Sequence, residues 1–352
     1  MPIRSYEKAD KEKILSLILE AQNPLAAENT RKYWEWRFEN NPFVGAEGPH
    51  ILILEEDNKV LGALLSFPLP LKILDQVVTI HCMTDFIVHP DSRGGGIGLA
   101  QKMSGLPEYF FGLPNKESYQ LWKMLGATDL CEMESMVKVV NMNYFLRSRD
   151  FGCIVSTVAG WLWVGVDRVL FHRKLKPKIT SIAIKEIEEF DQSYDSLWEE
   201  VQKGYPITIV KNSLYLNWRY KKIGKEYKVY AATEGGKTLG FFVVRMCDLK
   251  QKAGYIVDMM VRNGDDETAQ LLLARAITDM KEKGVVSIHS QMTSKSKFYK
   301  NIFKKNGFLC SSSTGKVVGN PHFSNTINCN DLKQDNWVLT KGDGELDLLP
   351  NG

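Results

Sequence analysis

The feature that most narrows what this chain can fold into is a repeat of itself. Tyr33, Trp36, Arg37 and Phe38 recur as Tyr215, Trp218, Arg219 and Tyr220, Leu61-Gly62 as Leu239-Gly240, Asp85 as Asp258, and Gly126 as Gly307. Landmarks kept in order over well over a hundred residues mean two copies of one unit, each needing its own core. A chain of 352 residues, 44% of them hydrophobic, has material for both. The paired Trp-Arg elements have two readings. They are a wall for an acceptor, with Trp36 and Arg37 as substrate-binding residues and Arg37 as an anion clamp, or a helix that packs the same way on each sheet. Repetition in both copies favours packing.

Within the first copy, hydrophobic periodicity predicts a strand at the N-terminus and a helix from Asp10 carrying Ile14, Leu17, Ile18 and Ala21. Asn29 or Thr30 is the expected cap of a second helix, holding Tyr33, Trp34 and Trp36. Residues 51–54 and 60–67 flank a charged turn in the pattern of an antiparallel hairpin, and 71–74, 77–83 and 85–88 continue the sheet. A strand at 109–112, a helix at 118–125 and a strand at 133–140 close the unit, and from Ile182 the order starts again. Residues 335–340 are expected to form a last strand, with an exposed acidic stretch after it.

The stretch from Asp85 to Lys102 reads as strand, turn and helix, with Arg93, Gly94, Gly95, Gly96, Ile97 and Gly98 between them. Helix-opening amides lack intrahelical partners and sit at the positive end of the helix dipole, so such a run can cradle a phosphate. A nucleotide-binding Walker loop would need Gly-Lys-Ser or Gly-Lys-Thr, but Gly98 is followed by Leu99, and a dinucleotide Gly-x-Gly-x-x-Gly register from Gly94 and Gly96 meets Leu99 too. The plain alternative is a glycine-rich turn with no ligand. Val88, Pro90, Arg93, Gly96 and Gly98, with Asn115, Ser118, Trp122, Gly126 and Ala127 downstream, are spaced as in the GNAT acetyltransferase superfamily, which this sequence resembles.

The resemblance implies an α+β fold: two tandem GNAT-like domains, each a mixed, mostly antiparallel sheet flanked by helices. It places the first at 1–146, a linker at 147–180, a degenerate second copy at 181–342 and an acidic tail at 343–352. It implies acetyl-CoA or another acyl-CoA as cofactor, with Phe86 and Val88 offering backbone groups to the pantetheine arm, the amides from Arg93 to Gly98 holding the pyrophosphate, and Asn115 nearby. Two departures stand out: only residues 99–106 are left for the loop helix before Pro107, and Trp122 takes the place of the family's tyrosine acid. An indole N–H does not protonate a thiolate, so Tyr119 is the substitute candidate. Asp85 is the candidate base, with His81 and His89 competing because imidazole titrates near working pH. In the second copy the matching loop, Arg262 to Asp266, carries two carboxylates and would repel a pyrophosphate. The first copy is therefore expected to hold the cofactor, the second to wall the acceptor groove or dimerise.

Formal charge is +3, from 45 basic and 42 acidic side chains, which gives no sign of a nucleic-acid partner. The six cysteines are scattered, with no zinc-ligand spacing, and Met1 to Asp10 lacks a signal's apolar run, which favours the cytoplasm. Residues 151–165 are apolar or small, include Trp161 and Trp163, and precede the basic run His172, Arg173, Lys174, Lys176, Lys178. That segment is a helix between domains, a peripheral contact with the inner membrane face, or a subunit contact in a homodimer. The expected reaction is N-acylation of a small-molecule amine. An amino sugar fits the similarity of Trp-x-Trp-Arg and the late Asn-Trp with its acidic stretch to tandem proteins of bacterial surface-polysaccharide synthesis. Alternatives are a non-catalytic acyl-CoA-binding scaffold and an aminoacyl-tRNA-dependent transferase.

Overall fold

The structure, a computed structural model, describes residues 2–46, 48–92, 94–147, 152–170, 181–224, 226–246, 252–262, 264–294, 296–323, 327–328, 330–344 and 347. Among them runs one sheet of thirteen strands: β1 (Ile3–Ser5), β2 (Ile51–Glu56), β3 (Lys59–Ile73), β4 (Gln76–Val88), β5 (Tyr109–Gly112), β6 (Thr128–Val139), β7 (Ala183–Ile187), β8 (Ile207–Ile209), β9 (Tyr227–Glu234), β10 (Lys237–Met246), β11 (Ala253–Val261), β12 (Ser287–Thr293) and β13 (Leu309–Gly319). Their order across the sheet is β1-β2-β3-β4-β5-β13-β6-β12-β11-β10-β9-β7, with β8 on β3. Neighbours are antiparallel except β4 with β5 and β11 with β12.

The centre of that order holds an exchange. The last strand of the second half, β13, lies against β5, pairing Val318 with Gly112, while the last strand of the first half, β6, lies against β12, pairing Thr293 with Met133. The two exchanged strands also pair with each other. Neither half completes its sheet without the other.

Helices cover both faces. On one lie α1 (Lys11–Ala21), α2 (Pro24–Trp34), α7 (Gln192–Val201) and α8 (Ser213–Tyr220), whose apolar faces share a core that crosses both halves. On the other, α3 (Gly95–Ser104) and α4 (Lys116–Met124) cover the first half, and α9 (Asp266–Glu282) and α10 (Lys297–Lys305) the second, over separate cores. Helices α5 (Met142–Arg147) and α6 (Cys153–Leu170) follow β6.

Where the halves meet, Trp36 stacks on Trp218 with ring centroids 4.7 Å apart and planes 12° from parallel. Each indole N–H donates to the other residue's backbone carbonyl, Trp36 Nε1 to Trp218 O at 2.9 Å and Trp218 Nε1 to Trp36 O at 3.1 Å. The chain reaches this contact through a π-helical turn, Glu35–Glu39, continuing α2, and through α8. Both rings are buried, so the repeated Trp-Arg element is core here and Trp36 is no groove wall.

Several local expectations are corrected. Residues 68–70 do not interrupt β3. The carbonyls of Pro68 and Pro70 accept from Asn41 Nδ2 and Val210 N, away from β4, so the missing N–H groups fall on the side that β4 does not use. The cap of α2 is Asn23, accepting from the Ala26 amide, with Pro24 at the first helical position. Residues 335–340 supply a 3-10 turn, Gln334–Asn336, and two isolated bridges in place of a strand. The carboxylates expected to be exposed, Asp343 and Asp347, are buried.

Because each indole satisfies the other's carbonyl inside a packed core, Trp218→Ala should lower stability by about 3–5 kcal/mol. Urea unfolding checks this, and the double variant with Trp36→Ala should cost less than the sum of the singles.

Candidate functional site

The site begins with a fault in β4. Leu64 pairs with Phe86 and Ser66 with Met83, so Thr84 and Asp85 together face Leu65 in a bulge. A bulge bends its strand and breaks pairing. Pairing of β4 with β5 ends at Cys82 and Phe111, and beyond that point the two strands splay apart.

The splay opens a groove of about 240 Å³, lined on the β4 side by Met83, Thr84, Asp85 and Phe86 and on the other by Leu113, Asn115, Ser118 and Trp122. Its inner end continues through Met83, Thr84, Gly112 and Leu113 into a narrow cavity of about 50 Å³, lined by Phe111, Met133, Val317 and Leu339 together with Thr340 and Asp343. Asp85 lies 3.5 Å from Arg37, which is itself buried, and one Asp85 oxygen is buried without a hydrogen-bond partner. Asn115 caps α4 by accepting from the Ser118 amide at 2.9 Å.

The glycine run is not the loop expected from the sequence: Gly95, Gly96, Ile97 and Gly98 form the first turn of α3. The reason is close approach. A Cβ at Gly96 would lie 3.1 Å from Val88 and 3.3 Å from Phe86, and one at Gly95 would collide with Leu54, so these glycines let the helix sit on the sheet. Gly94 stands at the cap position with open space around it, and among the described residues no side chain caps α3. Arg93 lies outside the described residues.

The second half carries the same architecture with its groove filled. Pairing of β11 with β12 ends at Ile256 and Ser290, just before a bulge at Val257. Into that splay runs the chain's own residues 339–342: Thr293 N donates to Leu339 O at 2.9 Å, Lys341 N to Gln291 O at 2.9 Å and Gly342 N to Val257 O at 2.9 Å. A side chain at Gly342 would overlap the Tyr220 hydroxyl. Buried charges pin this strap. Lys211 pairs with Asp258 and with Asp343 at 3.0 Å, and Arg219 pairs with Asp347 at 2.5 Å. Burial works against the charge on Lys211, but Asp258 and Asp343 outweigh it and hold its pKa above the ordinary lysine value. Burial, with Lys211 opposing, pushes Asp343 up to about 6. The helix opening differs too: Asp265 caps α9, accepting from the Thr268 amide at 3.0 Å, where α3 has a bare glycine.

No protein-family model and no curated protein matches the sequence. Solved structures do match the fold. The chain is similar to a probable N-acyltransferase of otherwise unknown function from Enterococcus faecalis, with TM-score 0.63 at 12% identity over 92% of this chain and 74% of that one. It is also similar to a GCN5-related N-acetyltransferase from Anabaena variabilis, with TM-score 0.61 at 9% identity over 90% and 72%. A third match is Saccharomyces cerevisiae N-myristoyltransferase with bound myristoyl-CoA, with TM-score 0.56 at 12% identity over 91% and 78%. The fold is thus that of the GCN5-related N-acetyltransferases.

The structure brings together at the groove Asp85, Arg37, Phe86 and Asn115, with Gly96 packed behind Phe86. Thr84 and Gln22 also line it, unmarked by any sequence pattern. Two candidate catalytic groups stand elsewhere. Tyr119 is one position round α4 from Ser118, and its hydroxyl donates to Asp129 at 3.0 Å. His81 sits between His50 and Phe110, ring centroids 4.2 and 5.1 Å away, and its Nδ1 is buried without a partner. Burial, helped by His50, lowers its pKa to about 3, which makes it a weak proton acceptor, and it does not line the groove. The unfolded chain protonates this imidazole below 6.5 and the folded chain does not, so its contribution to stability is present above 6.5 and lost as pH falls toward 3. Urea unfolding should therefore show His81→Phe losing less stability than wild type between those pH values.

Proposed function

We propose that the first half binds an acyl-CoA in the groove between β4 and β5 and transfers its acyl group to an amine. The observation that carries this is the contrast within one chain: β4 and β5 part around an open groove beside a helix that no described side chain caps, while the matching space in the second half is filled by residues 339–342 beside a helix capped by Asp265. The first-turn amides of Gly95, Gly96 and Ile97, which no described side chain caps, suit a phosphate, and the parted strand edges suit an amide-bearing arm. The narrow inner cavity suits a short acyl chain such as acetyl.

A bound thioester supplies the acyl group; the chain supplies position and proton transfer. The attacking nitrogen bonds to the carbonyl carbon as the carbon–sulfur bond breaks, and the Asp85 carboxylate takes the proton the nitrogen loses, held in place by Arg37 at 3.5 Å. Backbone N–H groups at the bulge would donate to the developing oxyanion. Trp122 lines the groove without an acidic proton and Tyr119 is committed to Asp129, so the leaving thiolate takes its proton from solvent. This last point also supports a second reading, an acyl-CoA-binding scaffold without turnover. For the acceptor we favour an amino sugar of a surface-polysaccharide precursor, with the protein in the cytoplasm.

Gly94→Asp tests the cradle, because a Cβ there meets no neighbour and a carboxylate beside the first-turn amides repels a phosphate. Calorimetric titration with acetyl-CoA should show binding to wild type and at least a tenfold loss in the variant, with melting temperature kept; equal affinity would remove α3 from the site. Asp85→Asn should reduce thiol release with glucosamine by about 10²–10⁴-fold. Binding without any transfer by wild type would leave the scaffold reading standing.

A further inference from the structure

Helix α6 is turned inside out relative to a helix that meets water. Its inner face is small or polar: Ser156 and Gly160 are buried, Gly160 lies against Asn143 of α5, and the Trp163 indole N–H donates to the Val139 carbonyl at 2.9 Å. Its outer face carries Val155, Val158, Trp161 and Leu162, which are 57%, 56%, 80% and 67% exposed. Spacings of three, four and seven residues put these four on one stripe. An apolar stripe with a tryptophan turned fully outward is not how a surface helix is kept soluble.

Charge says what covers it. Residues 142–178 contain seven Lys and Arg against two Asp, a net +5 in a chain whose total is +3, so the rest of the protein is slightly acidic. On α5 and on α6 before Asp167 the single charged side chain is Arg147, next to α6 through Thr157, and Lys252 stands 4.8 Å over the Tyr144 ring of α5. Apolar side chains and tryptophan on one stripe, with Arg147 and Lys252 beside the helix pair and a basic excess in the surrounding sequence, complement an anionic lipid surface. Among the described residues no helix is long and apolar enough to cross a membrane. We propose that α6 lies in the plane of an anionic bilayer, with Val155, Val158, Trp161 and Leu162 among the acyl chains and Arg147 and Lys252 toward the headgroups.

The test is cosedimentation of the full chain with vesicles of phosphatidylglycerol and phosphatidylcholine, beside vesicles of phosphatidylcholine alone. Binding is expected to the anionic vesicles, weakening as salt rises and falling at least tenfold in Trp161→Glu/Leu162→Glu. Both side chains are exposed, so the variant should melt with wild type, and a melting curve checks that it is folded. No binding to anionic vesicles, or binding that survives the double substitution, overturns the proposal. So does a dimer in sedimentation velocity that the same substitutions disperse, since the stripe would then be covered by a second copy.

Discussion

The contact on which the rest of the molecule depends is the reciprocal one between Trp36 and Trp218. A buried indole N–H needs an acceptor and a buried carbonyl needs a donor, and here each residue meets the other's need while their rings stack. The arrangement is isologous in the way a twofold interface is, within a single chain. It sets the two halves back to back over a shared core and holds Arg37 and Arg219 in corresponding places, Arg37 toward Asp85 and Arg219 toward the buried strap.

From that common frame the halves part company through small chemical differences. Asp85 and Asp258 both sit at a bulge where parallel pairing stops. Asp85 faces a groove, whereas Asp258 takes Lys211, Tyr220 and Thr340 as partners and is fully buried. A buried ion network of this kind is costly to assemble and more costly to break at one member, so it adds less net stability than definition of where the strap goes. The open groove and the filled one are the same splay between parallel strands, one left clear by the chain and the other occupied by its own residues 339–342.

Much of this is legible in the sequence because its signals are local. The hairpin and the glycine run each declare themselves within a few residues, and Asp85, Phe86 and Asn115 line one groove. What is not legible depends on partners far along the chain. Asp343 and Asp347 read as a solvated tail because Lys211 and Arg219, which neutralise them, are more than a hundred residues away. Pro68 and Pro70 read as a break because nothing nearby tells which side of β3 lacks a neighbour. Gly95 and Gly96 read as loop because the Leu54, Phe86 and Val88 side chains that demand glycine belong to other elements.

The exchange of β6 and β13 also sets a timetable. β5 ends at Gly112 and its partner β13 begins at Leu309, about two hundred residues later. At a synthesis rate of about 5–20 residues per second, the first half waits roughly 10–40 s on the ribosome with the inner edge of β5 unpaired. An open edge is a template for pairing with other chains. Of all the elements here, β5 is among the shortest, four residues with Gly112 at its end, which leaves the nascent chain little edge to offer while its last strand is still being made.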